Sequence, residues 1–194
     1  WTTTSYLQSS DAVTWTNIGA TSGAYTSLLI HAGSRFVSAD SSQLKLLLSD
    51  SATSWTTQSI LNTGAGTSIK SLLRANGLTL AGCANGLILS ATDSTRLENA
   101  AQTFAWTGGT ASRIEFCEDE FIISSRSNGT PRVALSSDGA TWKTYVIPTQ
   151  TNLAAGRLWK AGGFYWANSI FTSGSTFWRG RSPLGLKPVS GSPS

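Results

Sequence analysis

The strongest constraint on the fold is a repeated segment in which a strand-like run leads into a Ser/Asp-rich turn and then a Trp. The cleanest copy is Val133–Trp142, with the sequence VALSSDGATW, and similar copies are Tyr6–Trp15 and Leu46–Trp55. Two degenerate copies follow the same plan: Leu87–Arg96 lacks the Trp and Ile170–Trp178 lacks the Asp. Self-similarity at a fixed period indicates a chain built from equivalent structural units.

The spacing of the Trp residues sets the size of the unit. Trp15 and Trp55 are 40 residues apart, Trp142 and Trp178 are 36 apart, and the 87 residues from Trp55 to Trp142 hold two units. A period of about 40–45 residues is typical of a four-stranded propeller blade. A second repeated element, a hairpin with a tight turn, precedes each turn segment, at Leu29–Ser38, Leu72–Ala81, Ile114–Ile123 and Leu158–Ala167.

Together, the two elements predict an all-β chain, a β-propeller of four-stranded antiparallel blades. The predicted blades span about 27–60, 70–100, 112–147 and 156–181, after an N-terminal half blade at 1–20. Residues 182–194 are rich in Pro, Gly and Ser and are expected to form a tail or a closing strand. We predict five blades, with part of a larger propeller as the open alternative.

The composition excludes several classes of protein. The chain is 40% hydrophobic, 10% aromatic and only 12% charged, which is typical neither of disorder nor of a coiled coil. The net charge of +4 is spread over single Lys and Arg residues, whereas a nucleic-acid binder gathers its cations on one face. No apolar run is long enough to span a membrane. We therefore predict neither nucleic-acid binding nor membrane insertion.

The chain has few candidate metal ligands. Its single His and two Cys form no zinc-binding pattern, so no metal or cofactor is predicted. Cys83 and Cys117 lie in different predicted strands and are interpreted as two small buried thiols. A disulfide between neighbouring sheets is the alternative.

The turn motif carries a family resemblance. Ser136–Trp142 resembles the Asp-box, or BNR-like, repeat of β-propellers, and it is similar to propellers of bacteriophage structural and tail proteins. The resemblance implies that the Asp and Ser side chains bond the turn backbone and that the Trp packs between blades. It implies structural roles for one set of residues: Asp11, Trp15, Asp50, Trp55, Asp138, Trp142 and Trp178.

An enzymatic function finds little support in the residues. His31 is the only His, so any Ser-His-Asp or Cys-His arrangement would depend on it. Sialidases resemble this chain only in the turn motif. Paired carboxylates for other glycosidases would have to come from the few acids outside the turn motifs, namely Glu98, Glu115, Glu118, Asp119 and Glu120. The last three fall in one hairpin turn, where like charges usually face water. We predict no catalytic residues.

Binding residues are predicted at two kinds of position. His31, Arg74 and Lys160 occupy equivalent places in the first strand of three blades, the strand that lines the channel in propellers. Trp106 lies in a connection between blades, where an aromatic ring can stack on a sugar or anchor a protein partner.

These observations predict a non-enzymatic interaction module of a virion structural or tail protein, used for host attachment or particle assembly. Its expected partners are other virion or surface proteins, or a host-cell glycan or receptor, and its expected location is the virion or the extracellular space. The alternatives are a glycan-binding lectin propeller and a glycoside hydrolase of sialidase-like fold.

Overall fold

The computed structural model describes residues 5–9, 11–20, 28–32, 34–39, 45–51, 54–59, 68–92, 101–105, 110–127, 130–147, 157–171 and 174–189. Within these ranges the regular structure is β-strand, apart from one 3-10 turn at Pro183–Gly185. No helix in this part of the chain is long and apolar enough to cross a membrane.

The described strands form four four-stranded antiparallel sheets and one two-stranded sheet. The two-stranded sheet pairs β1 (Ser5–Gln8) with β2 (Thr16–Ala20). Sheet 1 contains β3 (Leu29–Ala32), β4 (Arg35–Ala39), β5 (Lys45–Ser49) and β6 (Thr56–Ser59). Sheet 2 contains β7 (Ile69–Ala75), β8 (Leu78–Cys83), β9 (Leu87–Ala91) and β10 (Ala101–Ala105).

Sheet 3 contains β11 (Thr110–Cys117), β12 (Glu120–Ser127), β13 (Thr130–Ser136) and β14 (Lys143–Val146). Sheet 4 contains β15 (Leu158–Ala161), β16 (Phe164–Phe171), β17 (Gly174–Gly180) and β18 (Lys187–Pro188). In each sheet, strands that are consecutive in the chain pair with one another, so every sheet is a simple meander.

The segment after residue 181 belongs to sheet 4. The 3-10 turn at Pro183–Gly185 reverses the chain, and β18 then pairs with β17. The amide of Val189 donates to the Phe177 carbonyl at 2.8 Å. The segment expected to form a tail or closing strand therefore supplies the fourth strand of sheet 4, at Lys187–Pro188.

The sheets follow one another face to face. The first strands β3, β7, β11 and β15 each contact the next in this order. Three apolar layers fill the spaces between consecutive sheets: the first joins sheets 1 and 2, the second sheets 2 and 3, and the third sheets 3 and 4. Meander sheets arranged with their first strands adjacent are the architecture of a β-propeller.

The apolar run in β12 shows how the sequence produces this stacking. Successive side chains of a strand point to opposite faces. Phe121 and Ile123 accordingly pack in the layer shared with sheet 2, and Ile122 packs in the layer shared with sheet 4. A strand covered on both faces needs an unbroken apolar run. Leu87-Ile88-Leu89 divides between two layers in the same way.

The turn around Asp138 is closed by its own side chains. The Asp138 Oδ1 atom accepts from the amides of Ala140 and Thr141 at 2.9 and 2.8 Å and from the Ser136 hydroxyl at 2.9 Å. The Gly139 amide donates to Ser136 Oγ at 2.8 Å. These bonds satisfy backbone donors that the tight turn would otherwise leave unpaired.

The turn around Asp11 repeats this geometry. Asp11 Oδ1 accepts from the amides of Val13 and Thr14 at 2.9 and 2.8 Å and from the Ser9 hydroxyl at 2.8 Å. Ala12 has a φ of 60° where Gly139 has 70°, so the same left-handed residue follows the Asp in both turns.

Two of the repeat residues do not have the expected role. Asp50 precedes its Trp by one residue more than Asp138 does, so Ser51 holds the equivalent position, and the Asp50 carboxylate instead accepts from the Arg35 guanidinium at 2.6 Å. Trp15 is 57% exposed, contrary to the expected packing between blades.

Gly139→Ala should destabilise the protein by about 2 kcal/mol, because an L side chain is strained at positive φ. The added Cβ would also meet Leu78 Cδ1 at 2.6 Å. Urea unfolding measures the change, and Ala12→Gly, which relieves the same strain, is the matched control that should not destabilise. Equal stability of Gly139→Ala and the parent chain would contradict the turn geometry.

Stability should also depend on acid through Asp138. The turn amides hold the pKa of this carboxylate at about 2, against an ordinary value of 3.8. A depressed folded-state pKa stabilises above the unfolded value, so this contribution is present above pH 3.8 and is lost as the pH falls toward about 2. In Asp138→Asn, the melting temperature should therefore fall less steeply as the pH is lowered below 3.8. An unchanged slope would show that the Asp138 carboxylate does not contribute to the acid dependence of stability.

Candidate functional site

A cleft of about 470 Å³ lies between sheets 3 and 4. The strands β12, β13 and β14 and the Asp138 turn form one wall, and β16 with the 3-10 turn forms the other. Its lining combines aromatic rings, hydroxyls, one carboxylate and two cations, including Glu120, Ser137, Trp142, Lys143, Tyr145, Tyr165, Arg181 and Ser182. This mixture is typical of a ligand-binding surface.

Glu120 and Tyr165 form a bonded pair in this cleft. The Tyr165 hydroxyl donates to Glu120 Oε2 at 2.6 Å, and the Lys160 ammonium lies 3.4 Å from the same oxygen. The ammonium also sits over the Tyr165 ring, 5.4 Å from its centroid. Burial, reinforced by the Glu120 bond, raises the pKa of the Tyr165 phenol well above its ordinary value. The phenol therefore stays neutral and acts as a proton donor to the carboxylate.

The rest of the cleft lining carries exposed polar groups beside aromatic rings. Trp142 and Tyr145 are half-buried, and the Lys143 ammonium lies over the Tyr145 ring at 5.4 Å from its centroid. Arg181 and Ser182 face them from sheet 4 and are exposed. The hydrogen-bond donors of Lys143, Arg181 and Ser182 are therefore available to a ligand, because the Glu120 carboxylate bonds Tyr165 and Lys160 instead.

Hydrogen-bonded carboxylates of sheet 3 join it to sheet 4. The Arg157 guanidinium, just before β15, donates two bonds to Glu115 of β11, at 2.6 and 2.8 Å. The Glu115 contact raises the pKa of Arg157. The Gly163 amide donates to Glu118 at 3.1 Å. The relative position of sheets 3 and 4, and with it the width of the cleft, thus depends on these carboxylates.

The hairpin acids were expected to face water, and for Glu120 this expectation is wrong. Glu120 is half-buried and bonds Tyr165 and Lys160. Glu118 and Asp119 are exposed, and Glu118 accepts from the Gly163 amide of the β15–β16 turn. The backbone φ angles of 49° at Glu118 and 60° at Asp119 turn the chain so that the flanking carboxylates reach sheet 4. Their partners lie 45 residues away in sequence, so no local pattern indicates the contact.

The predicted binding residues occupy equivalent places but have separate partners. His31 is exposed, and its ring meets the edge of Phe36 at a centroid distance of 5.0 Å. Arg74 donates to Thr79 Oγ1 and to the Thr92 carbonyl, both at 3.1 Å. Lys160 borders the cleft through Glu120. Trp106 lies outside the described residues.

The remaining repeat Trp residues are half-buried. Trp142 packs against the layer between sheets 2 and 3, and Trp178 packs against the layer between sheets 3 and 4. Trp55 is also half-buried. Trp142 additionally lines the cleft, so one turn motif contributes both to the stacking and to the candidate site.

Neither cysteine forms a disulfide. Cys83 and Cys117 are free thiols, and burial raises the pKa of Cys83 to about 11. Among the described residues no three His, Cys, Asp or Glu side chains form a group that could hold a metal ion.

Tyr165 should ionise only at a pH well above the ordinary pKa of a tyrosine. Its folded-state pKa is raised above the ordinary value of 10, so its neutral form stabilises the fold below pH 10 and this contribution is lost as the pH rises further. Ultraviolet titration of the phenolates should show a high-pH step that disappears in Tyr165→Phe. Persistence of the step in that variant would assign it to another tyrosine.

Solved structures establish the fold class. The chain superposes on YCF48 from Cyanidioschyzon merolae with a TM-score of 0.64 and 13% identity, over 96% of this chain and 66% of that one. It superposes on a candidate 6-phosphogluconolactonase from Bacteroides uniformis with a TM-score of 0.65 and 12% identity, over 95% of this chain and 62% of that one. Both neighbours are β-propeller-like.

The match shows an all-β propeller fold, and at these identities it shows the fold alone. The chain spans less than two thirds of the length of these structures. No protein-family model matches the sequence, and no curated protein does.

Proposed function

We propose that the chain is a non-enzymatic interaction module that binds a ligand in the cleft between sheets 3 and 4. We place it in a virion structural or tail protein, where it serves host attachment or particle assembly. The turn motif that resembles phage propellers and the low charged fraction of 12% support this setting.

The observation that carries the binding function is the pairing of the reactive groups in the cleft. The Glu120 carboxylate already accepts the Tyr165 hydroxyl at 2.6 Å and lies 3.4 Å from an ammonium. A general base needs a free lone pair near a substrate proton, and a Tyr nucleophile needs a lowered phenol pKa. Here the pKa of Tyr165 is raised. The pair is suited to shaping a surface and ill suited to proton abstraction.

A glycan is the second candidate ligand, and the part of the cleft lining beyond the Glu120–Tyr165 pair favours it. The rings of Trp142 and Tyr145 stand beside the exposed groups of Ser137, Lys143 and Ser182. Aromatic faces with adjacent polar donors suit ligands that present both C–H faces and hydroxyls. With a glycan as its ligand, the module is a lectin. Host attachment would then take place through a glycan on the host surface.

A glycan array with the purified chain tests the cleft. We expect binding confined to one family of glycans, with a dissociation constant that rises about tenfold or more in Tyr145→Ala. Val146→Ala is the matched control, because Val146 is 49% exposed and is the next residue on the same strand, pointing to the other face. Equal loss in both variants would place the ligand elsewhere.

The virion setting has its own test. Antibodies against the chain should label intact purified particles and block their adsorption to host cells. Labelling of host material alone would contradict the virion setting, without contradicting ligand binding in the cleft.

An enzymatic alternative predicts turnover. One of the structural neighbours is named as a candidate 6-phosphogluconolactonase, at 12% identity. Fluorogenic glycosides and a sugar lactone should both remain intact with this chain. Hydrolysis that is lost in Glu120→Gln would overturn the non-enzymatic proposal.

A further inference from the structure

The face of sheet 4 that points away from sheet 3 carries a row of cations. Leu158, Tyr165 and Trp178 pack toward sheet 3, so the alternating residues of the same strands point to the opposite face. Arg179 lies opposite Trp166 on β16 and opposite Lys187 on β18. Arg181 follows two residues later. We call Arg179, Arg181 and Lys187 the cationic row; all three are exposed.

The two guanidinium groups are held on aromatic rings. The Arg179 Cζ atom lies 4.8 Å from the Phe164 ring centroid and 5.5 Å from that of Trp166. The Arg181 Cζ atom lies 5.2 Å from the Phe164 centroid. Stacking of this kind fixes a guanidinium plane while leaving its N–H edges free for hydrogen bonding.

Repulsion within the cationic row lowers the stability of the protein when no ligand is bound. Like charges directly opposite each other on paired strands repel, and Arg179 and Lys187 are such a pair. The ion pairs between described side chains join other residues: Arg35 with Asp50, Arg157 with Glu115 and Lys160 with Glu120. A bound anion would remove the repulsion.

We propose that the cationic row binds an anionic polysaccharide that carries carboxylate or sulfate groups. Neighbouring strands are about 4.8 Å apart, and alternate residues of a strand are about 7 Å apart. Cations at this spacing match a linear polymer that repeats its charges, whereas a single small anion gains little at an exposed site. The row meets the cleft at Arg181 and extends away from it through Arg179 and Lys187, and the proposal does not rest on the function proposed for the cleft.

The same contacts argue against two other polyanions. Single-stranded nucleic acid needs open aromatic faces for its bases, and here guanidinium groups occupy the faces of Phe164 and Trp166. Protein interfaces are enriched in Arg and aromatic residues but depleted of Lys, so the exposed Lys187 is the member of the row that disfavours a protein partner. The N–H edges of the row therefore point to recognition of carboxylate or sulfate groups.

Binding to heparin, which carries both groups, and to hyaluronan, which carries carboxylates alone, tests the proposal. Neutral dextran serves as the uncharged control polymer. We expect salt-sensitive binding to heparin or to both acidic polymers, weakened about 3- to 10-fold in Arg179→Gln and in Lys187→Gln. Lys70→Gln removes an exposed charge from sheet 2 and should change the affinity less than about twofold. Arg181 also borders the cleft and is left unchanged.

Thermal unfolding adds a readout that a structural role could not produce. Because Lys187→Gln relieves the repulsion, this variant should bind more weakly without a lower melting temperature. Equal heparin affinity in all variants, or no binding to either acidic polymer, would overturn the proposal. Equally tight binding of oligothymidylate or polyglutamate with the same variant pattern would overturn the ligand class. Loss of heparin binding in Tyr145→Ala would show that heparin binds in the cleft. That result would overturn the proposal for the cationic row and would leave the proposed function of the cleft intact.

Discussion

Phe121→Ala should lower the free energy of unfolding by about 3–5 kcal/mol, the largest effect that we expect from a single substitution. Phe121 has 0% exposure in the layer between sheets 2 and 3, where it packs with Leu80 and Ile88 of the neighbouring sheet. The Phe116 ring lies at a centroid distance of 4.6 Å. Truncation removes contacts on both sides of the layer and leaves a cavity that the two sheets can close only by shifting together.

Urea unfolding of Phe121→Ala and Phe177→Ala gives the matched comparison. Phe177 is 38% exposed on sheet 4, so its truncation should cost less than about 1 kcal/mol. Similar losses in the two variants would mean that the layer between sheets 2 and 3 does not support the fold as the structure indicates. A reduced slope with denaturant in Phe121→Ala would show that the sheets unfold separately.

Gly180→Ala should cost about 3 kcal/mol, because the new Cβ would meet the backbone. It would lie 2.5 Å from the Gly185 carbonyl oxygen, 2.6 Å from the Gly185 carbonyl carbon and 2.8 Å from the Leu186 amide nitrogen. Backbone cannot rotate away as a side-chain end can. The 3-10 turn at Pro183–Gly185 would have to leave β17, and β18 would move with it.

Gly185→Ala is the control for this prediction, because it adds the same methyl group to the partner segment. There the new Cβ would meet only the Ser182 Oγ atom, at 3.2 Å, and a cost below about 1 kcal/mol is expected. Thermal unfolding of the two variants distinguishes them. A melting temperature of Gly180→Ala equal to that of Gly185→Ala would contradict the close packing of β17 on the turn.

The repeat allowed most of the sheet architecture to be anticipated. Asn76-Gly77 joins β7 to β8 with φ angles of 46° and 75°, and Gly162-Gly163 joins β15 to β16 with 61° and 72°, as two-residue hairpin turns require. The apolar triplets Leu87–Leu89 and Phe121–Ile123 have the pattern of strands covered on both faces. These features are local, so sequence reasoning can find them.

The candidate site was anticipated only in part. Lys160 was predicted as a binding residue and lies beside the cleft, but its partner Glu120 was assigned to a solvated turn. Tyr145, Lys143 and Arg181 carried no sequence signal, because each is an ordinary strand or loop residue until sheets 3 and 4 face each other. The contacts that create the cleft join residues 42 to 45 positions apart.

The repeated Ser/Asp turn and its period, by themselves, determined that this chain forms successive antiparallel sheets. Turn hydrogen bonds and the alternation of side chains along a strand involve residues only a few positions apart, so each copy of the repeat specifies its own turn and strands. The spacing to the Trp already distinguishes Asp138, which caps its own loop, from Asp50, which lies one position earlier; the tertiary structure decided that Asp50 pairs with Arg35. It also decided that Trp15 stays exposed and that Glu120 meets Tyr165. These outcomes depend on which sheet stands beside which, and that arrangement is set by burial in the layers between sheets rather than by any local pattern.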